Sequence, residues 1–186
     1  MDLRELKSIT SSPPEAEKFL RGKNCLRKIP PDCPTCSRPM TLVKYGKSQI
    51  WRCPSHKSEK MSIRAGSFWE KSSLELEKLL EILYFWSLEM PVRKLVEVTG
   101  VSKKTIILWC QKFREVCSQW IVKNPDKIGK RGERVKKNDA LVTKCKKWDK
   151  WESHLDEFVW REIHGSSCKD TFNNILDQIA EWYPTP

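Results

Sequence analysis

Apolar residues recur at helical spacing through the middle of the chain and predict three consecutive helices. The first follows a capping-box sequence at residues 72–75 and runs to about Leu88. The second is short, from Pro91 through Val98. Ser102 caps the third, whose apolar face is formed by Trp109, Phe113, Val116 and Trp120.

A β-hairpin is predicted earlier in the chain. Two runs of β-forming residues, Thr41 to Tyr45 and Ser48 to Arg52, are separated by Gly46-Lys47. A two-residue connection that contains Gly favours a tight turn between antiparallel strands. We therefore expect the segments that flank the two strands to lie close together.

Two more amphipathic helices are predicted near the C-terminus. The first has apolar residues at Trp148, Trp151, Leu155, Phe158 and Val159. The second has them at Phe172, Ile175, Leu176, Ile179 and Trp182. Because only residues 164–167 (HGSS) separate the two patterns, we interpret them as a helical hairpin.

Two pairs of potential metal ligands flank the predicted β-hairpin: Cys33 with Cys36, and Cys53 with His56. Two residues separate the members of each pair, and sixteen residues lie between the pairs. A structural Zn2+ ion takes four thiolate or imidazole ligands in a tetrahedron, and two such turns joined by a hairpin supply them. We therefore predict a zinc ribbon, in which zinc replaces a hydrophobic core. The alternative is three unrelated buried thiols and an exposed imidazole.

The remaining cysteines show no pairing of this kind. Cys25 is a candidate spare ligand. Four others are interpreted as small packing residues: Cys110, Cys117, Cys145 and Cys168.

The segment from Val92 to Cys117 fits a helix-turn-helix with its turn at Gly100-Val101. In that motif the N-terminal residues of the second helix contact the edges of the nucleobases, and Lys and Arg side chains also contact phosphates. The positions predicted to contact duplex DNA are Lys103, Lys104 and Thr105, followed by Gln111 and Arg114. An ordinary three-helix bundle with solvated lysines would give the same pattern.

The net charge of +11 is distributed unevenly. Residues 151–186 have seven acids and two bases, a net charge of −5, so residues 1–150 have +16. A basic surface attracts polyanions and supplies the sequence-independent part of nucleic-acid affinity. A basic segment at residues 123–147 adds three further candidate phosphate contacts, Lys130, Arg131 and Arg134, although a solvated charge run or a nuclear-localisation signal explains it equally well.

No stretch of the sequence reaches the roughly 18 apolar residues of a membrane span, and the N-terminus lacks the apolar region of a signal peptide. We expect an intracellular protein, nuclear in a eukaryote and cytoplasmic in a bacterium. In a reducing compartment its eight cysteines favour metal binding over disulfides.

These patterns predict an α+β fold that is mostly α, with a small zinc-ribbon hairpin, a three-helix DNA-binding unit and a C-terminal helical hairpin. The first 24 residues are interpreted as a loosely attached leader with a short helix that ends at Gly22. The predicted boundaries are 1–24 for the leader, 25–70 for the zinc ribbon, 71–123 for the helix-turn-helix unit, 124–147 for the basic linker and 148–186 for the helical hairpin.

Several of these motifs resemble the Merlin superfamily of DDE transposases and their bacterial insertion-sequence relatives. The resemblance covers most of the chain. Besides the Cys-x2-Cys hairpin, the matching segments are residues 50–53 (IWRC), 62–68 (SIRAGSF), 100–109 (GVSKKTIILW), 114–117 (REVC) and 155–161 (LDEFVWR). The fourth metal ligand departs from the pattern, because the family usually has Cys where this chain has His56. Zinc accepts either ligand.

The resemblance also implies a missing segment. After the helix-turn-helix, the family enters an RNase H-like core whose first catalytic aspartate lies on an acidic strand. Here residues 129–135 (GKRGERV) resemble the family's basic stretch, but no acidic strand precedes them. Two-metal phosphoryl transfer needs carboxylates that converge from a rigid scaffold, which residues 123–147 are too short to form. The resemblance therefore implies a DNA-binding protein of transposase ancestry that is not an enzyme.

Two other functions fit the sequence. The chain is alternatively a zinc-stabilised protein-interaction module whose Trp-rich C-terminal helices bind another protein, or a truncated form of an active transposase. The expected partners under the main hypothesis are double-stranded DNA and, through the C-terminal helices, a full-length transposase or a second copy of the chain.

Overall fold

The computed structural model describes residues 1–46, 48–125 and 148–185. Over these residues the fold is α+β, with seven helices and one antiparallel sheet of three strands, which confirms the predicted class. The contacts divide the chain into two units. Unit 1 comprises Met1–Tyr84 and Leu176–Pro186, and unit 2 comprises Phe85–Ile175.

Unit 1 begins with two short helices, α1 (Leu3–Ile9) and α2 (Pro13–Gly22). The Asp2 carboxylate caps α1 by accepting hydrogen bonds from the backbone N–H groups of Arg4 and Glu5. Leu6 and Leu20 are almost fully buried. The expectation of a loosely attached leader is therefore wrong, because both helices bury apolar side chains.

A buried carboxylate connects α2 to the sheet. The Glu17 carboxylate is almost completely buried and accepts hydrogen bonds from the Ser48 hydroxyl at 2.6 Å and the Gln49 N–H at 3.3 Å. A buried charge is tolerated only where hydrogen bonds compensate its lost hydration. Glu17 therefore fixes α2 against the strand that begins at Ser48.

The sheet consists of β1 (Thr41–Tyr45), β2 (Ser48–Arg52) and β3 (Lys60–Ser62), in that spatial order. β1 and β2 form the predicted hairpin, with Thr41 opposite Arg52. Gly46 has a φ of 60°, the left-handed conformation that tight hairpin turns favour. β3 was not predicted; it pairs with β2 and places the residues after His56 along the hairpin.

The segment between β3 and the next helix is held by Arg64. Its guanidinium donates hydrogen bonds to the carbonyl oxygens of Ser72 at 3.0 Å and Leu74 at 2.6 Å. Trp69 is fully buried, with the ring of Phe68 edge-on at 5.0 Å. α3 (Leu76–Ser87) follows as predicted.

In unit 2, α4 (Val92–Thr99) and α5 (Lys103–Lys123) are joined by a short turn. Gly100 ends α4 with a φ of 68°, a left-handed conformation that glycine adopts without steric cost. The Ser102 hydroxyl accepts the N–H of Thr105 and caps α5. Both predicted helices and the predicted cap are thus present.

The two C-terminal helices are α6 (Trp148–His164) and α7 (Cys168–Trp182). Within unit 2, α6 packs along α5. The residues of α7 from Leu176 onwards belong to unit 1, where the Cys25 thiol donates to the Leu176 carbonyl at 3.3 Å and Lys23 pairs with Asp177. The two helices were predicted correctly, but they do not form a separate C-terminal unit.

A network of charges lies between α5 and α6. The carboxylate of Glu157 lies 3.8 Å from the guanidinium of Arg114 and 2.8 Å from that of Arg161. Arg161 also donates to the carbonyl of Trp86 at 3.0 Å and stacks over its ring at 4.1 Å. All three charged side chains are at most 16% exposed. One carboxylate thus compensates two largely buried guanidinium groups.

No helix among the described residues is both long enough and apolar enough to cross a membrane.

Candidate functional site

The structure brings together the four predicted metal ligands. The ligand atoms of Cys33, Cys36, Cys53 and His56 all lie within 4.8 Å of one another. The Cys36 and Cys53 sulfurs are 3.6 Å apart, and the Cys53 sulfur is 3.8 Å from Nδ1 of His56. Across the residues that the structure describes, this is the one group of three or more Cys, His, Asp or Glu side chains placed to hold a metal ion.

The hairpin and two tight turns produce this arrangement. Thr41 and Arg52 pair at the open end of the hairpin, so the chain before β1 and the chain after β2 start side by side. In the first turn the Ser37 N–H donates to the carbonyl of Cys33 at 2.8 Å. In the second turn the His56 N–H donates to the sulfur of Cys53 at 3.2 Å. Each turn therefore directs its two ligands to the same point.

The spacing of the ligand atoms fits a tetrahedral ion. With metal–sulfur bonds of about 2.3 Å, two thiolates on a tetrahedral Zn2+ ion are separated by about 3.8 Å. The observed separation of 3.6 Å between the Cys36 and Cys53 sulfurs is close to that value. The four residues can therefore hold a metal ion, and they would fill all four positions of a tetrahedral site.

The surroundings of Cys33 favour its thiolate. Burial opposes ionisation, but hydrogen bonds from the backbone N–H groups of Thr35 and Cys36 and from the neighbouring thiols lower the pKa of Cys33 to about 7. Metal ions bind the deprotonated thiolate. A ligand of this kind is thus available near neutral pH.

Cys25 is separate from this group and is not a spare ligand. Its thiol donates to the Leu176 carbonyl, and burial together with the Asp177 carboxylate raises its pKa to about 12. Burial likewise raises the pKa of Cys110 to about 11 and that of Cys117 well above its usual value. Cys110 and Cys117 are therefore buried, as expected of packing residues, while Cys145 lies outside the described residues.

The second candidate site is the N-terminal half of α5. Lys103 and Lys104 are exposed in its first turn, and Thr105 is half-buried with its hydroxyl 2.8 Å from that of Ser102. Gln111 is exposed two turns later, where its amide donates to the Glu115 carboxylate at 3.2 Å. The first turn of α5 thus has two exposed lysines at the positive end of the helix dipole. Together these charges favour an anionic ligand.

Arg114 is placed differently from the other predicted DNA contacts. Its side chain is 14% exposed and faces Glu157 of α6. Because that guanidinium is largely buried and already paired, Arg114 is not part of the exposed face of α5. The other three predicted contacts, Lys130, Arg131 and Arg134, lie outside the described residues.

Two exposed residues of α5 were not singled out from the sequence. Ile107 is 44% exposed and Leu108 is 50% exposed, although both are large and apolar. They lie out of phase with the buried stripe through Trp109 and Phe113. That phase difference was visible in the sequence and could have identified them.

Comparison of the chain with protein-family models, with curated proteins and with solved structures gives no match.

Proposed function

We propose that this chain is a catalytically inactive duplex-DNA-binding protein of transposase ancestry. In this proposal, Cys33, Cys36, Cys53 and His56 hold a structural zinc ion, and α4 and α5 form a helix-turn-helix whose second helix enters the major groove. The zinc ion supplies folding energy to the ribbon and takes no part in chemistry.

The donor set supports zinc over harder metals. Three thiols and one imidazole converge without a carboxylate, a combination that suits Zn2+ and disfavours Mg2+ or Ca2+. β1, β2 and β3 comprise only thirteen residues, so the ribbon has few apolar side chains of its own to bury. A metal crosslink would therefore stabilise a unit that has too small a hydrophobic core of its own.

The exposure of Lys103 and Lys104 is the single observation that supports DNA binding most directly. They stand at the N-terminus of a 21-residue helix, after a three-residue break from α4 in which Gly100 is left-handed and Ser102 is the cap. A helix that reads a major groove presents its N-terminal residues to the bases. The excess of positive charge over residues 1–150 adds attraction to phosphates.

The first test removes both lysines. We expect the double variant Lys103→Ala, Lys104→Ala to bind duplex DNA more weakly and to lower the slope of log affinity against log salt by about 2, since each phosphate contact contributes about 0.9. Far-ultraviolet circular dichroism should be unchanged, because both side chains are exposed.

The matched control is Lys7→Ala with Lys18→Ala, which removes the same charge from exposed positions on α1 and α2. This control should keep most of the affinity and the salt slope. Equal losses in both double variants would show that net charge alone governs binding. An unchanged affinity in the α5 variant would move the DNA-binding face to the segment with Lys130, Arg131 and Arg134.

We further expect the purified chain neither to cleave nor to join DNA in Mg2+ or Mn2+. The segment that replaces the family's acidic strand offers only Asp126, Glu133 and Asp139 among many bases. Neighbouring lysines and arginines compete with metal ions for such carboxylates, and a two-metal site needs carboxylates held on a rigid scaffold. Strand-transfer assays on duplexes that the chain binds measure this. Metal-dependent nicking that disappears in the Asn, Gln and Asn variants of those three residues would contradict the proposal.

A further inference from the structure

The exposed face of α5 changes in chemical character along the helix. Lys104, Ile107, Leu108 and Gln111 are all exposed, and they follow one another at intervals that place them on one side of the helix. Glu115 comes next on the same side and accepts a hydrogen bond from Gln111. The face therefore runs from a cation, through two apolar side chains and an amide, to an anion.

The two apolar side chains are not needed by the core of unit 2. Ile106, Trp109, Cys110 and Phe113 on the opposite side of the helix are buried, and they already form its packing surface. A single exposed apolar side chain is ordinary in a folded protein. Here Ile107 and Leu108 are adjacent and about half exposed, and they lie between Lys104 and Gln111 on the same face of the helix.

The two lysines that precede this apolar pair indicate what covers it. Lys103 and Lys104 precede the pair at the positive end of the helix dipole, which favours a polyanion over an apolar protein surface. The major groove of DNA is lined by phosphates and also displays an apolar group, the C5-methyl of thymine, at its base edges. Its chemistry complements both parts of the face.

We propose that Ile107 and Leu108 contact thymine methyl groups in the major groove, so that the chain selects duplex sites with thymine at these positions. The inference rests on the proposed DNA-binding function. From Lys104 to Gln111 the helix rises by about 10 Å, so the contacts span about three base pairs. The Glu115 carboxylate ends the contact surface, because it would repel phosphates.

The test compares thymine with uracil, which lacks only the C5-methyl group. A random-sequence duplex pool is enriched for binding to the full chain and then amplified either with thymidine or with deoxyuridine nucleotides. We expect the uracil duplexes to bind more weakly by about fourfold for each methyl contacted, the factor that corresponds to burial of one methylene-sized group.

Variants of α5 separate a direct methyl contact from an effect of uracil on duplex shape. The double variant Ile107→Gln, Leu108→Gln should bind thymine and uracil duplexes equally, while its salt dependence remains. The control Val122→Gln changes a residue of the same helix that is 78% exposed but lies beyond Glu115, and it should discriminate like the unmodified chain. Circular dichroism verifies that all three proteins are equally helical.

The outcomes distinguish this inference from the proposed function. Salt-dependent binding that is equal for thymine and uracil duplexes, or a uracil penalty that persists in the Ile107 and Leu108 double variant, overturns the methyl contact and leaves DNA binding intact. Absence of salt-dependent binding to either duplex overturns the DNA-binding proposal and the inference together.

Discussion

Replacing Cys53 by Ser should abolish the proposed zinc binding and unfold the β1–β3 sheet. Cys53 is fully buried, and its sulfur lies 3.6 Å from that of Cys36 and 3.8 Å from Nδ1 of His56. A serine hydroxyl does not ionise near neutral pH and is a poor ligand for zinc. Structural zinc contributes about 10–16 kcal/mol of apparent binding energy in small zinc-dependent folds. Metal analysis of the purified variant and hydrogen exchange of the β1–β3 amides measure the two losses.

Two controls make this prediction specific to the ligand role. Cys168→Ser removes a half-buried thiol outside the cluster and should retain one zinc ion per chain. His56→Cys replaces one zinc ligand by another and should also retain it. The prediction is contradicted by a Cys53→Ser protein that keeps its zinc, or by a metal-free chain whose β1–β3 amides stay protected in the presence of a chelator.

Replacing Glu157 by Ala should lower the free energy of unfolding of unit 2 by about 3–5 kcal/mol, the usual cost of leaving a buried charge without its partner. The variant leaves Arg114 and Arg161 with side chains only 14% and 11% exposed and no carboxylate between them. Their mutual repulsion adds to the lost hydration. Denaturant unfolding, followed by tryptophan fluorescence, measures the change.

Glu97→Ala is the matched control for this prediction. Glu97 also pairs with two cations, Arg93 and Lys94, but its side chain is 48% exposed and both partners are more exposed still. Pairs of this kind contribute about 0–1 kcal/mol because water screens them. Equal destabilisation by the two substitutions would show that the α5–α6 charge network is no more important than a surface ion pair.

Local signals in the sequence were sufficient for much of this fold. The left-handed Gly46 after β1, the Ser102 cap and the left-handed Gly100 each depend on residues close by in the chain, so a single sequence predicts them. The convergence of the four candidate metal ligands was predictable for the same reason, since their spacing around a hairpin limits how they can be arranged.

Other features depend on contacts that local patterns do not encode. β3 is only three residues long, and it pairs because the turn after Cys53 directs it alongside β2. The pairing of Arg114 with Glu157 joins residues far apart in sequence, so an arginine that looks like a DNA contact on a helical wheel is largely buried. The sequence around Leu6 and Leu20 likewise did not indicate that these side chains are buried and that α1 and α2 belong to unit 1.

Unit 1 cannot complete its contacts during translation until residues 176–186 have been synthesised. Residues near its start and near its end belong to the same unit: the Cys25 thiol bonds to the Leu176 carbonyl, and Asn24 accepts a hydrogen bond from the Thr185 hydroxyl. A ribosome releases the start of a chain long before the end. Unit 2 has all its residues by Ile175, whereas unit 1 must wait for the residues that follow. Residues 1–25 therefore leave the ribosome well before residues 176–185, on which their contacts depend.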